Sequence, residues 1–552
     1  MRMRPPFATA VVLLAACGDL ELRFGVEPQL LEGASLATAK EVAWLVAEGP
    51  VTCEDPSLRL SVPFERRAHV VPLSGVTNWI WAGGGMVADL DGDGWLDIVA
   101  PTETTASLYH NLLGVEFPET STLAGFNLDF GAGGSAADFD ADGDLDLLVI
   151  RCHEPTALLR NEGNGSFVDV TSAAGIYLTC PAQTSSWADA DGDLDLDLFI
   201  GCTGDAEHYA DTNAAPGFPS ALYFNNGDGS FVDQSALIPE QAQGAYTYAG
   251  GFHDLDGDLW PDLYFVNDYG QNGGNVALTN VGGSFVFEPD ARGLDVVVAG
   301  TGLGAEDING DGNPDFLVPD WSDLRLLESG PAGWTDTAVA RGLQPQADQR
   351  VAWGTELGDM NNDGLIDAVV AYGFTSVDDP EPLNTQIQPD ALFLQQPDGT
   401  FVDEADAWDF ADVDAVDGER EAVISNRGVV LADLNNDGFL DVVKRDLDGP
   451  NVLYLSNCGA EAWLRVRLHH QGANTFGIGA VVTVFSGGSH WQRTVRAGGT
   501  SYSSSGPPEV HFGLAEIGIV DKIDVRWPDG RVTSFSDVDT RQTLDVFRQP
   551  LP

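Results

Sequence analysis

Asp89–Ala100 reads DLDGDGWLDIVA, and the same grammar returns six more times. DFDADGDLDLLV runs from Asp138, DADGDLDLDLFI from Asp189 and DLDGDLWPDLYF from Asp254. DINGDGNPDFLV follows from Asp307, DMNNDGLIDAVV from Asp359 and DLNNDGFLDVVK from Asp433. The copies begin 49, 51, 65, 53, 52 and 74 residues apart. Self-similarity at this period marks an array in which each copy is one supersecondary unit.

Outward from each acidic loop the pattern is constant. A small-residue run precedes it (GGGMVA before Asp89, GAGGSAA before Asp138), and a short apolar strand follows. Next comes a hairpin with glycine at its turn, as in ALLRNEGNGSFVDV from Ala157 and ALYFNNGDGSFVDQ from Ala221. Four strands in about fifty residues make the blade of a propeller, so the chain is expected to be all-β with a seven-bladed β-propeller. The seventh unit lacks a fourth strand, and an orphan segment, PFERRAHVVPLSG from Pro63, precedes the first. That segment is expected to supply the missing outer strand and close the ring, which removes exposed sheet edges.

In each loop, positions one, three, five and nine carry side-chain oxygens, and the seventh residue lends its carbonyl. The first loop offers Asp89, Asp91, Asp93, Trp95 and Asp97; the second Asp138, Asp140, Asp142, Asp144 and Asp146. The third offers Asp189, Asp191, Asp193, Asp195 and Asp197; the fourth Asp254, Asp256, Asp258, Trp260 and Asp262. Asp307, Asn309, Asp311, Asn313 and Asp315 form the fifth; Asp359, Asn361, Asp363, Leu365 and Asp367 the sixth; Asp433, Asn435, Asp437, Phe439 and Asp441 the seventh. Hard oxygen donors at this spacing wrap a calcium ion of six to eight ligands. Four carboxylates so close would otherwise repel by several kcal/mol at an effective dielectric near 20. An EF-hand needs a bidentate Glu at position twelve, where this chain has Ala100, Val149, Ile200, Phe265, Val318, Val370 and Lys444. The ninth-position Asp must close the cage instead. Up to seven structural Ca2+ ions are expected, bound more weakly where Asn309, Asn361 and Asn435 reduce the charge. Position six is glycine except at Leu194 and Leu259, where a left-handed turn costs roughly 1 kcal/mol.

The chain has 552 residues, 85 acidic and 26 basic, a formal net charge of −59. Nucleic acid is thereby excluded as a partner, because phosphate binding needs basic surface. From Ala460 onward nine Lys/Arg balance nine Asp/Glu, so the acidity lies upstream and a boundary falls near Cys458. The organisation read from the sequence is a signal peptide at 1–17, an acidic stalk at 18–62, the propeller at 63–458 and a small β-domain at 459–552, docked or tethered. The stalk is expected to carry one helix, Ala34 to Ala47. Arg2 and Arg4 precede an apolar run too short to span a bilayer, and Leu14-Ala15-Ala16-Cys17 is similar to a lipobox in which Cys17 is lipidated. The expectation is an exported lipoprotein of the outer membrane or cell surface, monomeric, held to the membrane by its lipid alone. Cys53, Cys152, Cys180, Cys202 and Cys458 remain, an odd number, with a pair among the middle three in reach of a disulfide.

These loops resemble the FG-GAP/VCBS repeats of integrin α-chain propellers. DLYFVNDYGQN from Asp262 resembles the cartilage acidic protein family, and the tail resembles its ASPIC/UnbV domain. The tail motifs are FGIGAVVTV from Phe476, VRAGGTSYSSSGPPEVHFGL from Val495 and VDKIDVRWPDGRV from Val520. The resemblance implies an extracellular calcium-binding module for adhesion or ligand binding, its partner a protein or glycan, and no catalytic activity. Variable loops on a rigid scaffold are where recognition resides. The face opposite the calcium loops, with insertions 203–220 and 375–390, His153, Glu154, Asn267 and Asp268, is the expected binding surface. The alternative is a surface polysaccharide lyase or hydrolase using His153 and Glu154 on that face. His253 reads as a packed residue, not a base.

Overall fold

The computed structural model describes residues 41–47, 64–71 and 83–550, except 102–105, 127, 129–130, 152–153, 205–216, 269–272, 288–290, 322, 344–349, 374–387, 411–424, 447–450 and 457–458. Cys17, Cys53, Cys152, Cys458, His153 and most of both insertions lie outside the described residues. Among the described residues the chain is all-β, its helix confined to short 3-10 turns such as Ser235–Leu237. Each acidic loop is the bend between the first two strands of an antiparallel sheet, an architecture consistent with a β-propeller. Met86–Ala88, Asp97–Pro101 and Ala106–Tyr109 form the first sheet. Gly131–Ala137, Asp146–Arg151, Ala157–Asn161 and Phe167–Asp169 form the second, and four-stranded sheets opening at Ala182, Tyr246, Gly304 and Ala352 repeat it. The last combines Asn426–Ala432, Asp441–Asp446 and Asn451–Ser456 with Phe64–Val71 from far upstream, Phe64 lying opposite Ser456.

Sheets pack face to face, so the second strand of each is buried from both sides and reads as a continuous apolar run. Leu147, Leu148, Val149 and Ile150 are all inaccessible to solvent, as are Leu198, Phe199 and Ile200. Met86, Val99, Leu147, Val149 and Phe167 join the first two sheets in one cluster. Most first strands meet their neighbours, and Asn426–Ala432 of the last sheet touches Met86–Ala88 of the first.

Two further sheets form the C-terminal domain. Trp463–His470, Glu509–Gly513 and Gln542–Pro550 make one; Val481–Ser486, Ser489–Thr494, Ile519–Arg526 and Val532–Asp539 the other. The first has a fourth strand, Glu41–Ala47, paired antiparallel with Gln542–Pro550. This corrects the helix expected over Ala34 to Ala47 where Glu41–Ala47 is described; the rest of the expected stalk, 18–40 and 48–62, lies outside the described residues. Glu41–Ala47 is apolar after its first residue, includes the β-branched Val42 and Val46, and meets an open sheet edge, so tertiary pairing overrides its helical preference. Trp44 stacks on Phe547 with ring centroids 5.3 Å apart.

The C-terminal domain sits on the loop side of the propeller-like sheets and sends Ala497–Gly506 (AGGTSYSSSG) among their first strands. Backbone bonds join Trp187 N to Ala497 O, Ser501 N to Leu303 O, Gly134 N to Ser503 O and Ser505 N to Gly85 O. Val429 N donates to Ser501 Oγ, and Thr500 Oγ1 donates to Glu356 Oε1. Tyr502, fully buried, stacks on Tyr248 and meets Trp353 edge-on. One segment thus touches the first strand of every sheet that carries an acidic loop. It also explains particular glycines: a Cβ at Gly84 or Gly133 would lie 2.0 or 1.8 Å from Ser503 O.

Candidate metal centres and the covered loop face

The seven loops share one hydrogen-bond pattern. The first Asp folds back over its own loop: Asp89 Oδ1 accepts from Gly92 N and Asp93 N, and Oδ2 from Gly94 N. The sixth residue adopts a left-handed conformation throughout, with φ from 86° to 97° at the five glycines and 78° and 77° at Leu194 and Leu259. The leucines therefore keep the turn at the steric cost expected of them. Leu194→Gly should stabilise the protein by about 0.5 kcal/mol, net of the added freedom of the unfolded glycine. A urea titration should show the higher midpoint, and an unchanged or lower midpoint would contradict it.

The ninth Asp joins the loop to the third strand. Asp97 Oδ2 accepts from Leu90 N at 3.2 Å and Oδ1 from Asn111 N at 2.8 Å. Equivalent pairs of bonds hold Asp146, Asp197, Asp262, Asp315, Asp367 and Asp441. Each still has lone pairs for a cation. The seventh-position Asp144 and Asp195 direct their carboxylates at the hairpin glycines, since a Cβ at Gly163 or Gly227 would lie 2.3 or 2.4 Å from them. From those two residues the carbonyl, not the side chain, is the available donor.

Clustering like charges away from water raises carboxyl pKa values. Burial pushes Asp89 up to about 6, against the Gly94 N–H and with Asp93 and Asp91 adding to the rise. Burial also raises Asp197 to about 8 and Asp146 to about 9, against their backbone donors. In the first four loops, three acidic residues each bring an oxygen within 4.8 Å of the others. Asp140 Oδ1 and Asp191 Oδ1 are buried without a hydrogen-bond partner. Converging hard oxygens, two of them orphaned, fit calcium.

Two groups of residues at these loops escaped the sequence reading. Asn161 Nδ2 donates to Leu90 O of the preceding loop, Asn225 to Phe139 O and Asn280 to Ala190 O. Asn111 does the same for Leu434 O at 2.8 Å, tying the first loop-bearing sheet to the last. An asparagine recurs at or just past the end of the third strand (HN, RN, FN, TN), but its partner lies in another unit. His110 is the second group: its Nδ1 lies 3.0 Å from Asp97 and 3.4 Å from Asp91. Burial alone would lower His110, yet the Asp97 and Asp91 charges hold it above its ordinary value.

The C-terminal domain binds the loops directly. Arg465, buried, reaches Asp433 Oδ2 at 3.2 Å and Asn436 Oδ1 at 2.8 Å. Gln492 Nε2 donates to Gly312 O, Trp491 Nε1 to Gly364 O and Thr475 Oγ1 to Asp138 Oδ2. His511 Nε2 contacts Gly438 O, and burial lowers its pKa to about 4.

On the opposite side, Asn267 and Asp268 are buried in the strand Asp262–Asp268. Asn267 accepts from Thr247 Oγ1 and donates to Gly274 O. Neither presents an open recognition surface, because the strand extends past the point where the sequence suggested a loop. Glu154 is exposed. His253 is buried against Phe316, and burial pushes its pKa well down. Cys180 and Cys202 form a disulfide, Cα atoms 5.9 Å apart.

Parts of the repeat array and of the C-terminal domain match two known families. The FG-GAP-like repeat family matches residues 89–149, 138–200 and 254–318, and the ASPIC and UnbV family matches 470–550. Cartilage acidic protein 1 of Xenopus tropicalis is 24% identical over 301 residues, 52% of this chain and 42% of that protein. The Mus musculus protein of the same name is 25% identical over 289 residues, 50% of this chain and 41% of its own length. The matches thus span less than half of these relatives. Together, the repeats, the C-terminal domain and this weak similarity match the family that the motifs resemble. Among solved structures, an Agrocybe aegerita lectin that recognises non-reducing terminal N-acetylglucosamine is 18% identical, covering 58% of this chain and 79% of that one. Its TM-score of 0.35 is too low to bear on ligand.

Proposed function

We propose that this protein is an exported, calcium-loaded binding module: a closed ring of seven blades, steadied by up to seven structural Ca2+ ions and a docked C-terminal domain. It acts outside the cell, as a monomer lipid-anchored through Cys17, in adhesion or capture of a protein or glycan, without catalysing a reaction. The FG-GAP-like repeats and the similarity to cartilage acidic protein 1 support the extracellular binding role. Among the described residues no helix is long and apolar enough to cross a membrane.

The observation that carries the reading is the cover over the loop face. Arg465, Thr475, Trp491, Gln492 and His511 brace the second, fifth, sixth and seventh loops, so this face is not open to a macromolecular partner. Recognition then falls to the segments leaving the second strands at the other end, the side of Cys202 and of both insertions. Replacing 205–216 with a Gly-Ser linker should abolish capture on a glycan array or by a purified extracellular partner while leaving the melting temperature unchanged. Full capture by the replaced chain, or product released from a polysaccharide, would overturn the proposal.

A further inference from the structure

A cleft of about 520 Å³ lies between the third, fourth and fifth loops and the C-terminal domain. That volume is typical of pockets that enclose a small ligand. Its walls combine apolar groups, among them Trp260, Leu259, Val481 and Pro528, with three guanidiniums, Arg493, Arg496 and Arg526. His253 belongs to the lining too, its buried Nε2 lacking a hydrogen-bond partner.

One wall of the cleft, the one from the C-terminal domain, has a charge opposite to that of the chain. Arg496 Nη1 lies 2.9 Å from Glu306 Oε1 and Arg493 Nε 3.6 Å from Oε2, so two cations share one carboxylate. Asp529 is held by Arg548 and Arg531. Arg526, half-buried, makes no ion pair with a described residue, although its charge acts on Asp254. The other lining carboxylates, Asp189, Asp254, Asp258 and Asp307, belong to the loops. On the wall that the C-terminal domain supplies, Arg493, Arg496 and Arg526 against Glu306 leave a surplus of two positive charges, within a protein of net charge −59, and cations in the facing loops would offset part of their acidity. We propose that this interdomain cleft binds a small oxyanion, a carboxylate or sulfate carried on a ring-sized apolar or sugar body, with Arg526 as its principal anchor. The proposal goes beyond the binding face described above and rests on that reading only for the filled loops. The carboxylate meets the guanidinium as a paired, charge-assisted hydrogen bond, and the ring lies along the Trp260 side.

The test is a calorimetric titration of the full calcium-saturated chain with glucuronate, glucose 6-sulfate and glucose at fixed ionic strength. At least one oxyanion should saturate at one equivalent while glucose does not, and the two oxyanions distinguish carboxylate from sulfate. Arg526→Gln should weaken binding about tenfold, and Arg526→Lys, which keeps the charge but loses the paired geometry, should weaken it by less. Thr494→Trp, which narrows the cleft without changing charge, should abolish it. All three variants should melt with the parent and still capture partners through the opposite face, which separates failure here from failure of the proposed function. Saturation by neither oxyanion, equal binding of glucose, or unchanged affinity in Arg526→Gln would overturn the assignment.

Discussion

Tyr502→Ala is expected to destabilise the protein by about 3–5 kcal/mol and to lower a single melting transition shared by both domains. Tyr502 belongs to the C-terminal domain, yet its ring is buried between Tyr248 and Trp353, with centroids 6.3 and 5.4 Å away. Removing it empties a volume whose walls come from first strands that loops of their own hold in place, so collapse is resisted and the cavity cost persists. The segment around it is also strained: Ser501 and Ser503 hold φ of 55° and 49°, the left-handed region. That conformation is tolerated because the hydroxyls are used. Val429 N donates to Ser501 Oγ, and Ser503 Oγ donates to Gln183 O. If the C-terminal domain were merely tethered, differential calorimetry of Tyr502→Ala would show an unshifted propeller transition beside a lowered domain transition. That outcome would refute the role of Ala497–Gly506 in joining the two domains.

The repeat was legible because its decisive residues are local. Asp89 to Asp97 carries its own ligands, turn glycine and first buried strand within one loop, and six further copies average out accident. The hairpins after the second strands were readable for the same reason. What escaped the reading depends on distant partners. The small-residue runs before the loops do not show what they pack against; at Gly84 and Gly133 the obstacle is Ser503 of the C-terminal domain. Asn111, Asn161, Asn225 and Asn280 recur visibly, yet their role as braces between successive loops exists only once neighbouring units pack. Glu41–Ala47 was misread because seven residues of ambiguous propensity take their conformation from Gln542–Pro550, at the other end of the chain. Asn267 and Asp268 looked like loop residues since nothing in their own stretch reveals how far a strand runs under a neighbouring connection.

Removal of calcium is expected to lower the melting temperature substantially, and the loss should grow with pH. Three loops filled at a hundredfold excess over their dissociation constants would contribute about 8 kcal/mol. For a chain of this size that corresponds to a shift on the order of ten degrees. The pH dependence follows from the loop carboxyls. Burial holds Asp138 and Asp189 at about 6, Asp262 and Asp315 at about 7, Asp197 at about 8 and Asp146 at about 9. Unfolded aspartates titrate near 3.9. A carboxyl whose pKa rises on folding binds its proton more tightly in the folded chain. Without metal, that stabilisation is complete below about pH 4 and is lost as the pH climbs through about 6 to 9. The metal-free protein should therefore melt higher at pH 5 than at pH 8. Calcium reverses the trend, because it needs the deprotonated ligands and replaces the protons that relieve their repulsion. Melting curves of dialysed and calcium-saturated protein should diverge as the pH rises from 5 to 8. Superimposed curves at pH 8 would show that these clustered carboxylates are stabilised by something other than a bound cation.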